Sequence, residues 1–359
     1  PVARVSVLFD AGYAADQGRK PGTASFAMSL LDEGTKHLDA LAIAARAESL
    51  GADLAAGSSL DSSFGAVSAL TENLDPSIGL LADVLRNPAF PDGEIERVRK
   101  EWLASIAREK TSPDALASRL LPPLIYGAGH PYAIPFTGSG TEASIAALTR
   151  DDLVAFHRDW IRPDNATLVV VGDTTPGAVL PMLEKHFGDW QAPASARPAK
   201  TLPTAAPPAA PRVFLVDKPG AIQSNILVGL AAPSTGAPNK LEMDTMNAVL
   251  AGTFTSRINM NLREDKHWSY GSRASLADAR GQRPWLLSAP VQTDKTVESM
   301  REILREVTEY VGARPATTEE VTKIRNRDVR ALSGRFETNA AVAGAIAEMI
   351  TFGRPDDYV

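Results

Sequence analysis

The sequence contains no cysteine. Disulfide staples and cysteine-ligated zinc are therefore excluded, which is compatible with a periplasmic protein. No run of 18 apolar residues occurs, so no stretch is suited to cross a membrane as a helix. Positive charge is not in excess. Lys and Arg number 37 against 43 Asp and Glu, a net charge of −6, which argues against a nucleic-acid footprint. The chain opens directly on the strand-like residues 2–9 without a signal-peptide pattern, and a cleaved leader is expected to be missing from the sequence. What is present is ordinary for a globular protein: 44% hydrophobic and 22% charged residues, in a chain of 359 residues that exceeds the usual compact domain.

The pattern is mixed. Residues 3–9 alternate and read as a strand, 12–22 as a polar loop, and 38–50 as an amphipathic helix with Leu38, Leu41, Ala45 and Leu50 on its apolar side. Residues 52–58 and 63–71 read as a strand pair, followed by helices over 76–86 and 94–109. Residues 112–125 read as helix broken at Pro122 and Pro123. A helix over 149–160, a strand over 166–172 and a helix over 175–187 follow. Residues 191–211 are rich in Pro and Ala and read as a semi-rigid linker. Beyond it, strands are expected over 212–217, 224–230, 269–277 and 285–291. Helices are expected over 241–250, 256–266, 297–311 and 318–332. Strands followed by a helix pair recur in both halves, so the chain reads as two tandem units, 1–190 and 212–359, joined by 191–211.

Residues 22–35, GTASFAMSLLDEGT, carry the first informative pattern. They read as a short amphipathic helix that Thr23 can cap, with Phe26, Leu30 and Leu31 facing a core. Ser25 and Ser29 are four apart and share one face, with Met28 beside Ser29. Zinc proteases of the H-E-x-x-H and inverted H-x-x-E-H types place two histidines at this spacing. The chain resembles the M16 (pitrilysin or insulinase-like) zinc peptidases over nearly its whole length. The family's stretch G-x-A-H-x-x-E-H puts its histidines on Ser25 and Ser29 and its catalytic Glu on Met28. The later helix that carries E-R-x-R, here Glu96, Arg97 and Arg99, puts the third ligand on Ser105. Serine hydroxyls are not zinc donors of the imidazole or carboxylate kind, and methionine takes no proton from water. The resemblance thus implies a domain with its metal centre erased. The plain alternative is a pair of small polar residues on a half-exposed helix. A serine nucleophile finds no Ser-x-x-Lys or G-x-S-x-G context.

The second pattern is residues 256–270, SRINMNLREDKHWSY. It is similar to the family's S-R-L…L-R-E…Y motif, and lands on Arg263 and Tyr270. In the family these residues meet the substrate backbone and the tetrahedral intermediate at a zinc site formed by a different domain. A guanidinium holds a peptide carbonyl or carboxylate, and a phenol donates to a developing oxyanion. The bland reading is a solvated helix Arg and a packed strand Tyr. His267 stands where the family often has Gly in a left-handed cap, which points to a differently shaped turn. It is read as a surface residue, the alternative being a polar contact in the site. His130, beside Pro131, reads as turn chemistry rather than a metal ligand.

The resemblance implies an α+β fold of two homologous domains, each a mostly antiparallel sheet packed with helices (the LuxS/MPP-like metallohydrolase fold). It also implies a further strand before residue 1 and a helix and strand after residue 359, so the sequence is expected to be trimmed at both ends. For function it implies an incomplete subunit of a heterodimeric bacterial peptidase. No zinc is expected in this chain. A homologous partner with an intact zinc motif would supply it, a peptide would be the substrate, and the pair would act in the periplasm, or else in the cytoplasm. Two rivals stand beside it: a non-enzymatic core or assembly protein of the same fold, and a hydrolase with a new site around Asp32, Glu33 and His37.

Overall fold

A computed structural model describes residues 1–358, which form two compact units. Unit 1 holds Pro1–Arg108, Ile134–Thr201 and the stretch from Arg335 onward. Its sheet has the order β2-β3-β1-β4, all pairs antiparallel, with β1 (Val2–Phe9), β2 (Asp53–Ser58), β3 (Ser63–Leu70) and β4 (Ala166–Gly172). Val5 pairs with Val67 on one side and Val170 on the other, so β1 is the centre of the sheet and is almost wholly buried. Gly65 of β3 is required by packing: a Cβ there would lie 2.6 Å from Leu85 Cδ2.

Helices α1 (Thr23–Met28), α2 (Ala40–Leu50), α3 (Leu74–Arg86) and α4 (Asp92–Thr111) surround this sheet, with the short α6 (Glu142–Ala146), α7 (Arg150–Trp160) and α8 (Pro176–Phe187). Local chemistry sets their ends. Thr149 and Asp152 form a capping box on α7, and Asp39 caps α2, which Gly51 closes in the left-handed conformation. On α2 the buried residues are Ile43 and Leu50, while Leu41 is 83% exposed. The expected Leu38–Leu41–Ala45–Leu50 stripe is therefore rotated. α2 packs on α3 and β2 through a narrow seam, and the leucine count misplaces its centre. A helix absent from the sequence reading, α13 (Asn339–Phe352), lies on β1 and β4, where Ala343 joins Leu8 and Val169.

Unit 2 holds Glu109–Ala133 and Leu202–Gly334. Its sheet has the order β5-β7-β6, with β5 (Gln223–Ala232), β6 (Arg273–Leu276) and β7 (Arg283–Gln292). This is the order of β1, β3 and β2, and the pair α11 (Thr296–Tyr310) and α12 (Thr318–Ala331) follows β7 as α3 and α4 follow β3. Leu250, Ile258, Leu262, Trp285, Leu287 and Ile303 form its core. α5 (Pro113–Tyr126) belongs here and lies on β5. Gly229 makes room for it, since a Cβ would meet Ile125 Cδ1 at 2.7 Å and Leu121 Cδ2 at 2.8 Å. α5 runs through Pro122 and Pro123 instead of breaking there. Their fixed φ is helical, the lost bonds fall near the C-terminus, and packing on β5 holds the turn.

No regular element spans 189–222, so the expected strand over 212–217 is not formed. Its backbone makes no ladder bonds, and Leu215 is 91% exposed. The linker is tethered at points: Lys200 Nζ reaches the Ala11 carbonyl at 2.8 Å in unit 1, and the Ala205 N–H reaches Gln282 Oε1 at 2.6 Å in unit 2.

Candidate functional site

The α1 stretch is built from a loop that the sequence reading took as merely polar. Tyr13–Asp16 form a buried 3-10 turn. The Asp16 carboxylate accepts from the N–H groups of Gly22 at 2.7 Å and Ala24 at 2.8 Å. It takes the cap role expected of Thr23, whose hydroxyl instead donates back to the Lys20 carbonyl at 2.6 Å. Burial pushes the Asp16 carboxyl up to about 7, against the lowering by those N–H groups and by Arg19. Phe26, Leu30 and Leu31 face the core as expected.

The positions resembling zinc ligands do not form a metal site. Ser29 Oγ donates to the Phe26 carbonyl at 2.9 Å, within its own helix. Ser25 Oγ is buried without a hydrogen-bond partner, close against Gly138, and Ser105 is half-buried on α4. Met28 is 1% exposed and fills core. Three hydroxyls and a thioether do not suit zinc, and among the described residues no group of three His, Cys, Asp or Glu could hold a metal ion. The E-R-x-R residues have structural duties. Arg97 pairs with Glu33 and Glu94, and Arg99 donates to the carbonyls of Ile145 and Leu148. Trp102 on the same helix meets Phe26 edge-on at 5.5 Å.

The other candidates separate. Glu33 is committed to Arg97 on α4, while His37 Nδ1 meets Asp83 Oδ1 at 2.6 Å on α3. His130 Nδ1 accepts from the Tyr132 N–H at 3.0 Å, so its Nε2 donates to the Pro203 carbonyl at 2.8 Å, and its ring stacks on Tyr126. Both ring nitrogens are spent on a turn.

Arg263 and Tyr270, in contrast, come together. After α9 (Lys240–Asn247) the helix passes into a π turn over Ala248–Gly252. After α10 (Arg257–Asn259) it does so again over Met260–Asp265, the turn that carries Arg263. The Arg263 guanidinium lies 5.8 Å from the Tyr270 ring centre and 4.6 Å from that of Phe254. Its Nε meets Glu264 at 3.2 Å, and its two terminal nitrogens have no hydrogen-bond partner among the described residues. Tyr270 precedes β6 and is 88% exposed, so it is not a packed strand tyrosine. Arg257, the earlier arginine of the same motif, is the counter-example. It is bound to Glu320 by Nε and Nη2, both at 2.7 Å, and holds that carboxyl down to about 2.

Two residues that the sequence reading passed over set this geometry. Asn259 is 3% exposed. Its Nδ2 donates to the Phe254 carbonyl at 2.6 Å and its Oδ1 accepts from the Ser272 N–H at 2.9 Å, joining the loop before Arg263 to the strand after Tyr270. Ser269 Oγ bridges the Gly271 and Pro290 carbonyls. His267 adopts φ +58°, so the left-handed turn expected of a glycine is kept, not reshaped. Its ring is exposed and meets the Arg263 carbonyl at 3.1 Å, outside the arginine's free end. The result is a pre-aimed fork of N–H donors beside an exposed phenol.

Two family models match, and the second runs across the linker. The model described as insulinase (peptidase family M16) covers residues 1–129, and that described as peptidase M16 inactive domain covers 147–327. The chain belongs to peptidase family M16. An uncharacterized zinc protease of Mycobacterium tuberculosis is 26% identical over 275 residues, 76% of this chain and 62% of the relative. One of Bacillus subtilis is 24% identical over 249 residues, 69% and 58%. This M16 chain thus spans about three fifths of the length of these relatives. Its fold is that of the peptidase M16 inactive domain from Pseudomonas fluorescens, with TM-score 0.87 and 24% identity over 100% of this chain and 84% of the other. A Helicobacter pylori protease matches with TM-score 0.89 at 21% identity, over 98% and 84%. The periplasmic protease PqqL from Escherichia coli matches with 0.80 at 15%, over 98% and 38%. The chain is thus an α+β protein of two M16 domains, matched over 147–327 by the inactive-domain model, and related to zinc proteases.

Proposed function

We propose that this chain is the zinc-free subunit of a heterodimeric M16 peptidase and lends Arg263 and Tyr270 to the active centre of a homologous partner. The metal and the general base belong to that partner. The observation that carries the reading is the Arg263 guanidinium, flanked by Tyr270 and Phe254, with its terminal nitrogens unpaired at an exposed site. A fork so placed holds the carbonyl of a bound peptide by two parallel N–H bonds. The Tyr270 phenol donates to the same oxygen as it gains negative charge. A scaffold of the same fold has no need of this pair. A fold neighbour titled a periplasmic protease, together with the lack of cysteine, supports a periplasmic location.

The test is reconstitution. The purified chain should hold no stoichiometric zinc and cleave no peptide, and should become active when mixed with a homologous chain that carries H-x-x-E-H. Arg263→Ala or Tyr270→Phe should lower turnover of the pair about 10²- to 10³-fold, the usual loss for one oxyanion donor, while leaving assembly intact. Unchanged turnover in both variants would rule out the in-trans role.

A further inference from the structure

Phe254 sits in the loop between the two π turns and is 59% exposed, although a phenylalanine gains by burial. Its main chain is not loose. Asn259 holds its carbonyl, and Lys323 Nζ holds the neighbouring Thr255 hydroxyl at 2.9 Å. The ring is therefore presented by a pinned backbone. It is the nearer of the two rings around the Arg263 guanidinium, at 4.6 Å against 5.8 Å for Tyr270. An aromatic face at that distance attracts the cation and restricts where the fork points. Exposed aromatics around an arginine are also the composition that anchors bound peptides.

We propose that Phe254 is a third member of the Arg263/Tyr270 site, with two duties. It positions the guanidinium, and its exposed face packs against an apolar side chain of the peptide whose carbonyl Arg263 holds. The site therefore prefers substrates with an aromatic or aliphatic residue next to that carbonyl over those with alanine there. This rests on the peptide-binding reading given above and adds a specificity to it. Covering roughly 60 Å² of apolar surface corresponds to about tenfold in affinity.

The experiment uses the full chain labelled with ¹⁵N-arginine, with the Arg263 side-chain signal assigned by its loss in Arg263→Lys. Two capped tetrapeptide amides serve as probes, one all-alanine and one with a central phenylalanine. In the free protein, Phe254→Ala and Phe254→Leu should both move the Arg263 signal, because the ring that shields it is gone. In the wild type, the phenylalanine peptide should shift that signal at about tenfold lower concentration than the alanine peptide. The preference should vanish in Phe254→Ala and survive in Phe254→Leu, which keeps an apolar side chain. An unmoved Arg263 signal in both free variants overturns the positioning duty. A preference retained in Phe254→Ala overturns the specificity duty and leaves the peptide reading standing. If neither peptide perturbs Arg263 in the wild type, alone or mixed with the zinc-bearing partner, the peptide reading itself falls, and this inference with it.

Discussion

At the residue scale, the chain spends buried polar groups on shaping loops. Asp16 is the plainest case. Its carboxyl is 3% exposed, caps α1 from seven residues upstream, and is raised by burial to about 7. The linkage has a definite sign. An unfolded aspartate titrates near 3.9, so between about pH 4 and pH 7 the folded chain binds the extra proton. Stability should therefore fall as pH rises through that window, by on the order of 4 kcal/mol if the whole shift is expressed. Melting curves from pH 4 to 8 should show that loss. Asp16→Asn, which cannot titrate, should flatten this component. The resemblance to a family motif singled out Arg263 and Tyr270, and the structure brings the two side chains together. Phe254, Asn259 and Ser269 were not legible in the sequence, because their roles arise where residues 253–255 and 269–272 fold against one another. No local pattern encodes that meeting. The positions that resemble zinc ligands came only from the resemblance; the structure adds that Ser29 turns back on its own helix and Met28 fills core.

At the scale of elements, the decisive piece is the turn that ends the Arg263 helix. The Lys266 N–H returns to the Asn261 carbonyl, and those of Trp268 and Ser269 both return to Leu262. This wide turn needs a left-handed residue, and His267 occupies it at φ +58°. Left-handed backbone is costly with a Cβ, so His267→Gly should stabilise the chain by up to about 1 kcal/mol, offset in part by the lost contact to the Arg263 carbonyl. Denaturant midpoints would register it, and Arg263 and Tyr270 should stay in place. Most strands and capped helices could be read ahead of the structure, because alternation and Thr or Asp caps are local. α13 was missed because its apolar residues surround the whole helix and leave no period to detect. The strand expected over 212–217 failed for the opposite reason. Its composition suits a strand, but among the described residues no neighbouring backbone forms a ladder with it.

At the scale of the whole molecule, the repeat of sheet order and trailing helix pair makes each half look self-sufficient in sequence. The structure assigns two helices across that apparent division. α5 precedes the linker yet covers β5, and α13 lies at the far end of the chain yet covers β1 and β4. Dissection at the Pro/Ala-rich segment is thus ruinous for both pieces. A fragment of residues 1–190 would leave Leu8 and Val169 without Ala343 over them, and one of residues 212–358 would leave Gly229 without Leu121 and Ile125. Each fragment produced alone should be insoluble or molten by near-ultraviolet circular dichroism. Each unit draws on separate stretches of the chain, so no single cut leaves both sheets with their own helix. The chain is thus indivisible at the very place where its repeated order of elements would invite a cut.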